Sequence, residues 1–281
     1  MIAVDRRPCA AVASPEAMWV SAYAAGTVVK IDPTSNAVLT TYRVGDEPCG
    51  IVYRSGRLWV GLVSGHQLVQ LDARSGDVMQ RIDTGSPVFD VQIGLGSVWV
   101  ATRDGRVLRV DPEAARIVAD TPVGVQLYGL AVTTDAVWAA EQSTHDIVRL
   151  DPASATVTAH VHDPNGTPYT FASTPGALWV SSDDGTTLRV DTATNRIVAT
   201  IPFGVKGGAP GDPDTAGGSV WVPNRDTGEL ARIDPSTNQV QAIVALPAGF
   251  SVAQEGFGSI WVCDYSGATV ARVDPATAAL P

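Results

Sequence analysis

Seven tryptophans, Trp19, Trp59, Trp99, Trp138, Trp179, Trp221 and Trp261, mark the chain at steps of 40, 40, 39, 41, 42 and 40 residues. Just beyond them stand residues able to do chemistry. The third position after each Trp holds Ala22, Leu62, Thr102, Glu141, Ser182, Asn224 and Asp264; the fourth holds Tyr23, Val63, Arg103, Gln142, Asp183, Arg225 and Tyr265. Some ten residues ahead of the tryptophans come Phe89-Asp90, Tyr128, Tyr169 and Asp212. Framework residues recur in every repeat, so the residues that break the repeat are the candidates for function. Carboxylates, two guanidiniums and several aromatic rings suit a small organic ligand. The expected ligand-binding residues are Tyr23, Asp90, Arg103, Tyr128, Tyr169, Asp183, Asp212, Asn224, Arg225 and Tyr265. Glu141 and Asp264 are the expected catalytic residues, each a candidate general base. Glu141, Asp183, Asp212 and Asp264 also offer the oxygen ligands that a divalent cation such as magnesium or calcium takes. Such an ion would polarise an ester or lactone carbonyl for a lyase or a hydrolase.

These residues need a scaffold, and the repeat supplies it. A second marker keeps the same beat: Asp32, Asp72, Asp111, Asp151, Asp191, Asp234 and Asp274 follow each Trp by 12 or 13 residues. Within one period, 48–88, four short runs rich in Val, Leu, Ile and Trp are separated by Ser-Gly and Asp-to-Gly turns, which is the strand signature. The run around each Trp, such as Leu58-Trp59-Val60 or Val98-Trp99-Val100, is apolar on both faces, so both sides of the sheet must be covered. Radial stacking gives that cover. The expected fold is all-β: a seven-bladed β-propeller with four antiparallel strands per blade, one domain over residues 1–281. In register with the repeat, Met1-Ile2-Ala3-Val4 matches the end of a fourth strand and Ala279-Leu280-Pro281 the start of one. Both termini should therefore close the last blade. Asn36, Gly76, Asn195 and Asn238 stand where the Asp turns need a left-handed residue. In this fold the loops into the inner strands and those between second and third strands share the face around the channel mouth, where the expected site lies. Blade 6 carries extra residues over 206–214, read as a tolerated insertion or a ligand-shaping loop.

Composition narrows the partners. A formal net charge of −10 repels phosphate backbones and anionic lipid, so neither nucleic acid nor a membrane is expected. No apolar run is long enough for a membrane span, and the N-terminus lacks a signal-peptide shape. A small molecule or a peptide is the expected partner, and the chain is expected to act as a monomer. Three cysteines, Cys9, Cys49 and Cys263, make an odd count without CxxC spacing. They are expected to be free thiols, the first two side by side at the mouth, in a cytoplasmic protein. His160 and His162 are expected on the outer rim, and His66 and His145 in turns.

The string Gly-Ser-Val-Trp-Val at 96–100 and 218–222, followed by Arg-Val-Asp-Pro at 109–112 or Arg-Ile-Asp-Pro at 232–235, resembles the streptogramin (virginiamycin) B lyase-like propellers and the related YVTN and NHL-type repeats. The resemblance spans the chain and implies a seven-bladed propeller. In those lyases two His at inner-strand starts and a Glu soon after a blade Trp act with magnesium to open a cyclic ester. Here the positions eleven before each Trp are Pro8, Pro48, Val88, Leu127, Pro168, Pro210 and Phe250, so the His pair is not present. Glu141 alone matches the Glu. Two expectations follow: a small-ligand site with metal-assisted lyase or hydrolase chemistry, or a non-catalytic scaffold holding a peptide or protein on the same face.

Overall fold

A computed structural model describes residues 1–203 and 210–280. They form seven four-stranded antiparallel sheets with no helix among the described residues. In each blade the strands run in chain order from the channel outward, except at the seam. Blade 7 takes Phe250–Gly256, Ser259–Asp264 and Thr269–Val273, and its outer strand is Ile2–Ala3, paired Ile2 to Val270 and Ala3 to Thr269. The other end of the described chain folds back as an Asp turn, with Asp274 bridged to Ala279. The seam is thus closed from both sides, chiefly by the N-terminal strand.

The Trp strands explain the ring. Every residue of Met18–Ala22, Ser97–Thr102 and Ala177–Ser182 is buried, whereas the outer strand Arg116–Pro122 alternates with its even positions turned inward. Each Trp is at most 1% exposed and packs on the Trp strand of the next blade. Trp19 meets Leu58 and Val60, Trp99 meets Val137 and Ala139, and Trp261 meets Met18 and Val20 to complete the circle. Burying these rings is the largest apolar contribution the sequence makes at each interface. The indole N–H is not wasted: Trp99 Nε1 donates to the Gly94 carbonyl at 3.2 Å and Trp179 Nε1 to Thr174 Oγ1 at 3.0 Å.

Directly across the sheet from six of the tryptophans stands a cation. Lys30, Arg109, Arg149, Arg189, Arg232 and Arg272 lie 4.9 to 5.8 Å over their Trp rings. Several reach on to the Asp turn of the next blade. Arg189 Nη1 donates to Pro235 O and Asn238 Oδ1, and Arg272 Nη1 to Pro33 O and Asn36 Oδ1. In blade 2 the place is taken by Gln70, and Arg57 reaches Pro112 O instead. The turns themselves follow the expected chemistry. Asp72 Oδ1 accepts the Arg74 and Ser75 N–H groups, and Asn36, Asn195, Asn238 and Gly76 have φ of 59, 54, 59 and 77°.

One expectation is corrected here. Cys9 and Cys49 are not free thiols: they form a disulfide that joins the inner strands of blades 1 and 2, their Cα atoms 5.0 Å apart. Adjacent inner strands converge toward the axis, which brings equivalent positions within crosslinking distance. Cys263 is the buried free thiol. No helix is long and apolar enough to cross a membrane.

Candidate channel-mouth site

The inner strands begin with a distortion that shapes the site. In six blades the pairing between inner and Trp strands slips near the residues nine and ten before the Trp, for example between Val88 and Asp90 and between Leu127 and Leu130. A bulge interrupts the strict alternation of a strand. Two consecutive residues therefore address the channel instead of one.

Those two positions make two tiers. The upper, ten before the Trp, holds the Cys9–Cys49 disulfide, then Phe89, Tyr128 and Tyr169, then Gly211 and Ser251. The three rings form a ladder, with centroids 5.0 Å apart from Phe89 to Tyr128 and 4.9 Å from Tyr128 to Tyr169. The lower tier, nine before the Trp, is Ala10, Gly50, Asp90, Gly129, Thr170, Asp212 and Val252. Five of its members are small or neutral and two are carboxylates. In blade 6 the inner strand is cut to Asp214–Ala216, and Asp212 pairs sideways with blade 7: its N–H donates to Ser251 O and its carbonyl accepts from Ala253 N.

Above these tiers the fourth residue past the Trp crowns the mouth in blades 1, 2, 3, 6 and 7. Arg103 lies 5.2 Å over the Phe89 ring and Arg225 5.8 Å over Tyr265. Arg7 lies between Tyr23 and Tyr265, at 5.0 and 4.4 Å. Together the tiers enclose a cavity of about 250 Å³ walled by Tyr23, Phe89, Arg103, Tyr128, Arg225 and Tyr265 and floored by Asp90 and Asp212. The same two aspartates also line the next stretch of the channel, about 220 Å³, so they form its waist.

The waist is electrostatically unusual. Asp90 accepts only from neutral donors, the N–H groups of Val91 and Leu130 at 2.7 Å each and Gln92 Nε2 at 3.3 Å. Burial pushes its carboxyl up to about 6. Burial and the neighbouring Asp90 charge push Asp212 up to about 7. Burial also raises the Tyr128 hydroxyl, with the Asp212 charge adding to it. Tyr23 is held up at about 12 by burial and a hydrogen bond to Glu47.

Tyr23, Asp90, Arg103, Tyr128, Asp212, Arg225 and Tyr265 are thus brought together as expected ligand-binding positions, with Tyr169 behind Tyr128 in the ladder. Asp183, Asn224, Glu141 and Asp264 do not line the cavity. The third position past the Trp points into the turn between second and third strands. Glu141 Oε1 accepts the Val125 and Gln126 N–H groups, and Oε2 accepts from Thr144 N and Oγ1, all within 3.0 Å. Burial alone would raise its carboxyl, but these four bonds outweigh it and bring it down to about 2. So bound, Glu141 clamps the turn, and it lies outside the cavity rather than at it. Asp264 accepts from Ser266 N and Thr269 Oγ1, and Asn224 Oδ1 from Asp226 N. Asp183 Oδ1 accepts the Thr167 N–H. Sequence reasoning set Cys9 and Cys49 at the mouth but not their bond, and it passed over Thr170. Their signal was equal spacing from successive tryptophans.

The expected divalent cation finds no matching donor set. Among the described residues, no group of three or more His, Cys, Asp or Glu is placed to hold a metal ion. Three of the four carboxylates proposed for it are engaged in turns. His160 and His162 lie on the exposed outer strand, both Nδ1 atoms on Asp146 at 3.2 and 3.0 Å. Of the extra residues of blade 6, 206–209 lie outside the described residues.

No protein-family model matches the chain, and no curated protein matches it by sequence. Solved structures do match its fold. A streptogramin B lyase superposes with a TM-score of 0.82 at 17% identity, over 94% of this chain and 92% of that one. The virginiamycin B lyase of Staphylococcus aureus gives 0.82 at 15%, over 94% and 95%. The hydrazine synthase of Kuenenia stuttgartiensis gives 0.81 at 13%, over 98% and 97%. The chain is therefore a seven-bladed propeller with the architecture of the streptogramin B lyases. At such identities the likeness is one of fold alone.

Proposed function

We propose that the protein binds a small organic molecule in the channel-mouth cavity. The observation that carries this reading is the cavity itself: concave, walled by the rings of Tyr23, Phe89, Tyr128 and Tyr265, with a few charged groups converging on it. A concave space of about 250 Å³ suits a small molecule better than the broad surface a folded protein partner needs. Lyase or hydrolase chemistry on an ester or lactone would draw its proton-transfer groups from Asp90 and Asp212. They face the cavity with proton affinities near neutrality, the range that acid–base catalysis uses. Glu141, anchored by four hydrogen bonds, supplies none.

The test is to fill the cavity. Ser251 occupies the tier in which blades 3 to 5 carry Phe89, Tyr128 and Tyr169, so the backbone there already accepts an aromatic side chain. A library of small aromatic fragments is screened by ligand-observed NMR against the wild type and Ser251→Phe. Hits that bind the wild type and lose binding about tenfold or more in the filled variant support the reading. Hits that bind both equally place the ligand elsewhere and overturn it.

A further inference from the structure

Resting on the small-ligand reading, the charges in the cavity say more about what fits. The floor is negative, and the cation that acts on it, Arg225 on Asp212, does so from the rim without a close ion pair. Asp90 is held by neutral donors alone, and among the described residues neither Asp90 nor Asp212 forms an ion pair. The two carboxylates lie close enough to repel across the waist. The rim is positive: among the described residues Arg103 and Arg225 make no salt bridge, Arg103 lying over Phe89 and Arg225 over Tyr265, with Arg225 reaching the Asp212 charge only at longer range. Between floor and rim runs the aromatic ladder. A buried charge without a counter-charge is costly. A ligand that brings both missing signs, in the right order, removes that cost at both ends.

We propose that the cavity recognises a small aromatic zwitterion whose ammonium and carboxylate lie at opposite ends. The ammonium sits between Asp90 and Asp212 and donates to both carboxylates. The ring lies along Phe89 and Tyr128, whose electron-rich faces also favour a nearby cation. The carboxylate meets the guanidiniums of Arg103 and Arg225. An anion oriented the other way would meet like charge at the floor, so the polarity of the cavity fixes the direction of entry as well as the class of ligand.

Three matched probes test this by isothermal titration calorimetry at neutral pH: 4-(aminomethyl)benzoate, benzylamine and 4-methylbenzoate. The zwitterion is expected to bind about tenfold or more tightly than either single-ended probe. Asp90→Asn and Asp212→Asn should each weaken the zwitterion and benzylamine by about tenfold and spare 4-methylbenzoate. Arg103→Gln, at the rim and away from the strand pairing, should weaken the zwitterion and 4-methylbenzoate and spare benzylamine. Equal binding of all three probes, or indifference to the Asp and Arg variants, overturns the charge assignment while the cavity reading stands. No binding of any probe also overturns it, and the Ser251→Phe comparison then decides separately whether the cavity reading falls too.

Discussion

The Glu141 carboxylate accepts four hydrogen bonds while the residue is only 1% exposed, and three of the donors are backbone N–H groups. Replacement by Ala leaves those donors facing a void. Glu141→Ala is expected to lower stability by about 2–4 kcal/mol, read as a fall in the urea midpoint at unchanged slope. A midpoint that does not move would show that the turn closes without it. This residue also marks a limit of reading sequence. Thr102, Glu141, Ser182, Asn224 and Asp264 break the repeat as ligand-binding residues would, yet Thr102, Glu141, Asn224 and Asp264 serve the turn that follows and Ser182 holds Asp163 in the loop before its blade. Turn chemistry and ligand chemistry draw on the same side chains. Strand alternation separates them, because the next residue along, Arg103 or Arg225, is the one at the cavity.

At the scale of strands, the bulged inner strands carry the site, and the disulfide ties two of them together. It closes a loop of 40 residues. In the chain-entropy account a loop of that length contributes about 3–4 kcal/mol. The Cys9→Ser, Cys49→Ser double variant is expected to lose about 2–4 kcal/mol against the oxidised wild type and to match the wild type once both are reduced. An unchanged melting temperature on reduction of the wild type would refute a stabilising crosslink. The odd cysteine count argued for free thiols, but the informative signal was positional: both cysteines stand ten residues before their Trp in neighbouring blades. For Cys9 and Cys49 the free-thiol reading gives way to a crosslink. The bulges left no such signal. They arise from how seven inner strands crowd one axis, not from a residue type.

Over the whole molecule, two populations of carboxyl groups pull stability in opposite directions with pH. Asp90, Asp212 and Asp214 are raised by burial to about 6, 7 and 6. The folded state then holds protons the unfolded chain has released, so stability falls as pH rises from about 4 to about 7. Asp32, Asp72, Asp111, Asp151, Asp191, Asp234 and Asp274 are lowered by hydrogen bonds donated within their own turns, and Glu141 lies at about 2. Their contribution is present above the ordinary carboxylate range and is lost as pH falls below it. The melting temperature should therefore peak near about pH 4, and Asp212→Asn should flatten the fall toward pH 8. A melting temperature that climbs steadily from pH 5 to pH 8 would contradict this. The ring was the most legible part of the molecule, since the Trp and Asp spacings are copies of one local pattern. The polarity of the cavity was not, because it depends on which blades face each other across the axis.

Ile2–Ala3 completes a sheet whose partner strand is Thr269–Val273. A ribosome makes the first of these before the six intervening blades and the second after them. At typical elongation speeds the gap is on the order of tens of seconds. Throughout that interval blades 1 to 6 assemble as an open arc with an uncovered apolar blade face at each end, the kind of patch that invites a neighbouring chain. Cys9 and Cys49, by contrast, are both made before any residue of blades 3 to 7. If they join then, the leading segment is moored beside the second blade, a few residues from the strand that must later find the seam. The last act of folding becomes the snapping shut of a clasp whose free end has been held in place since the beginning.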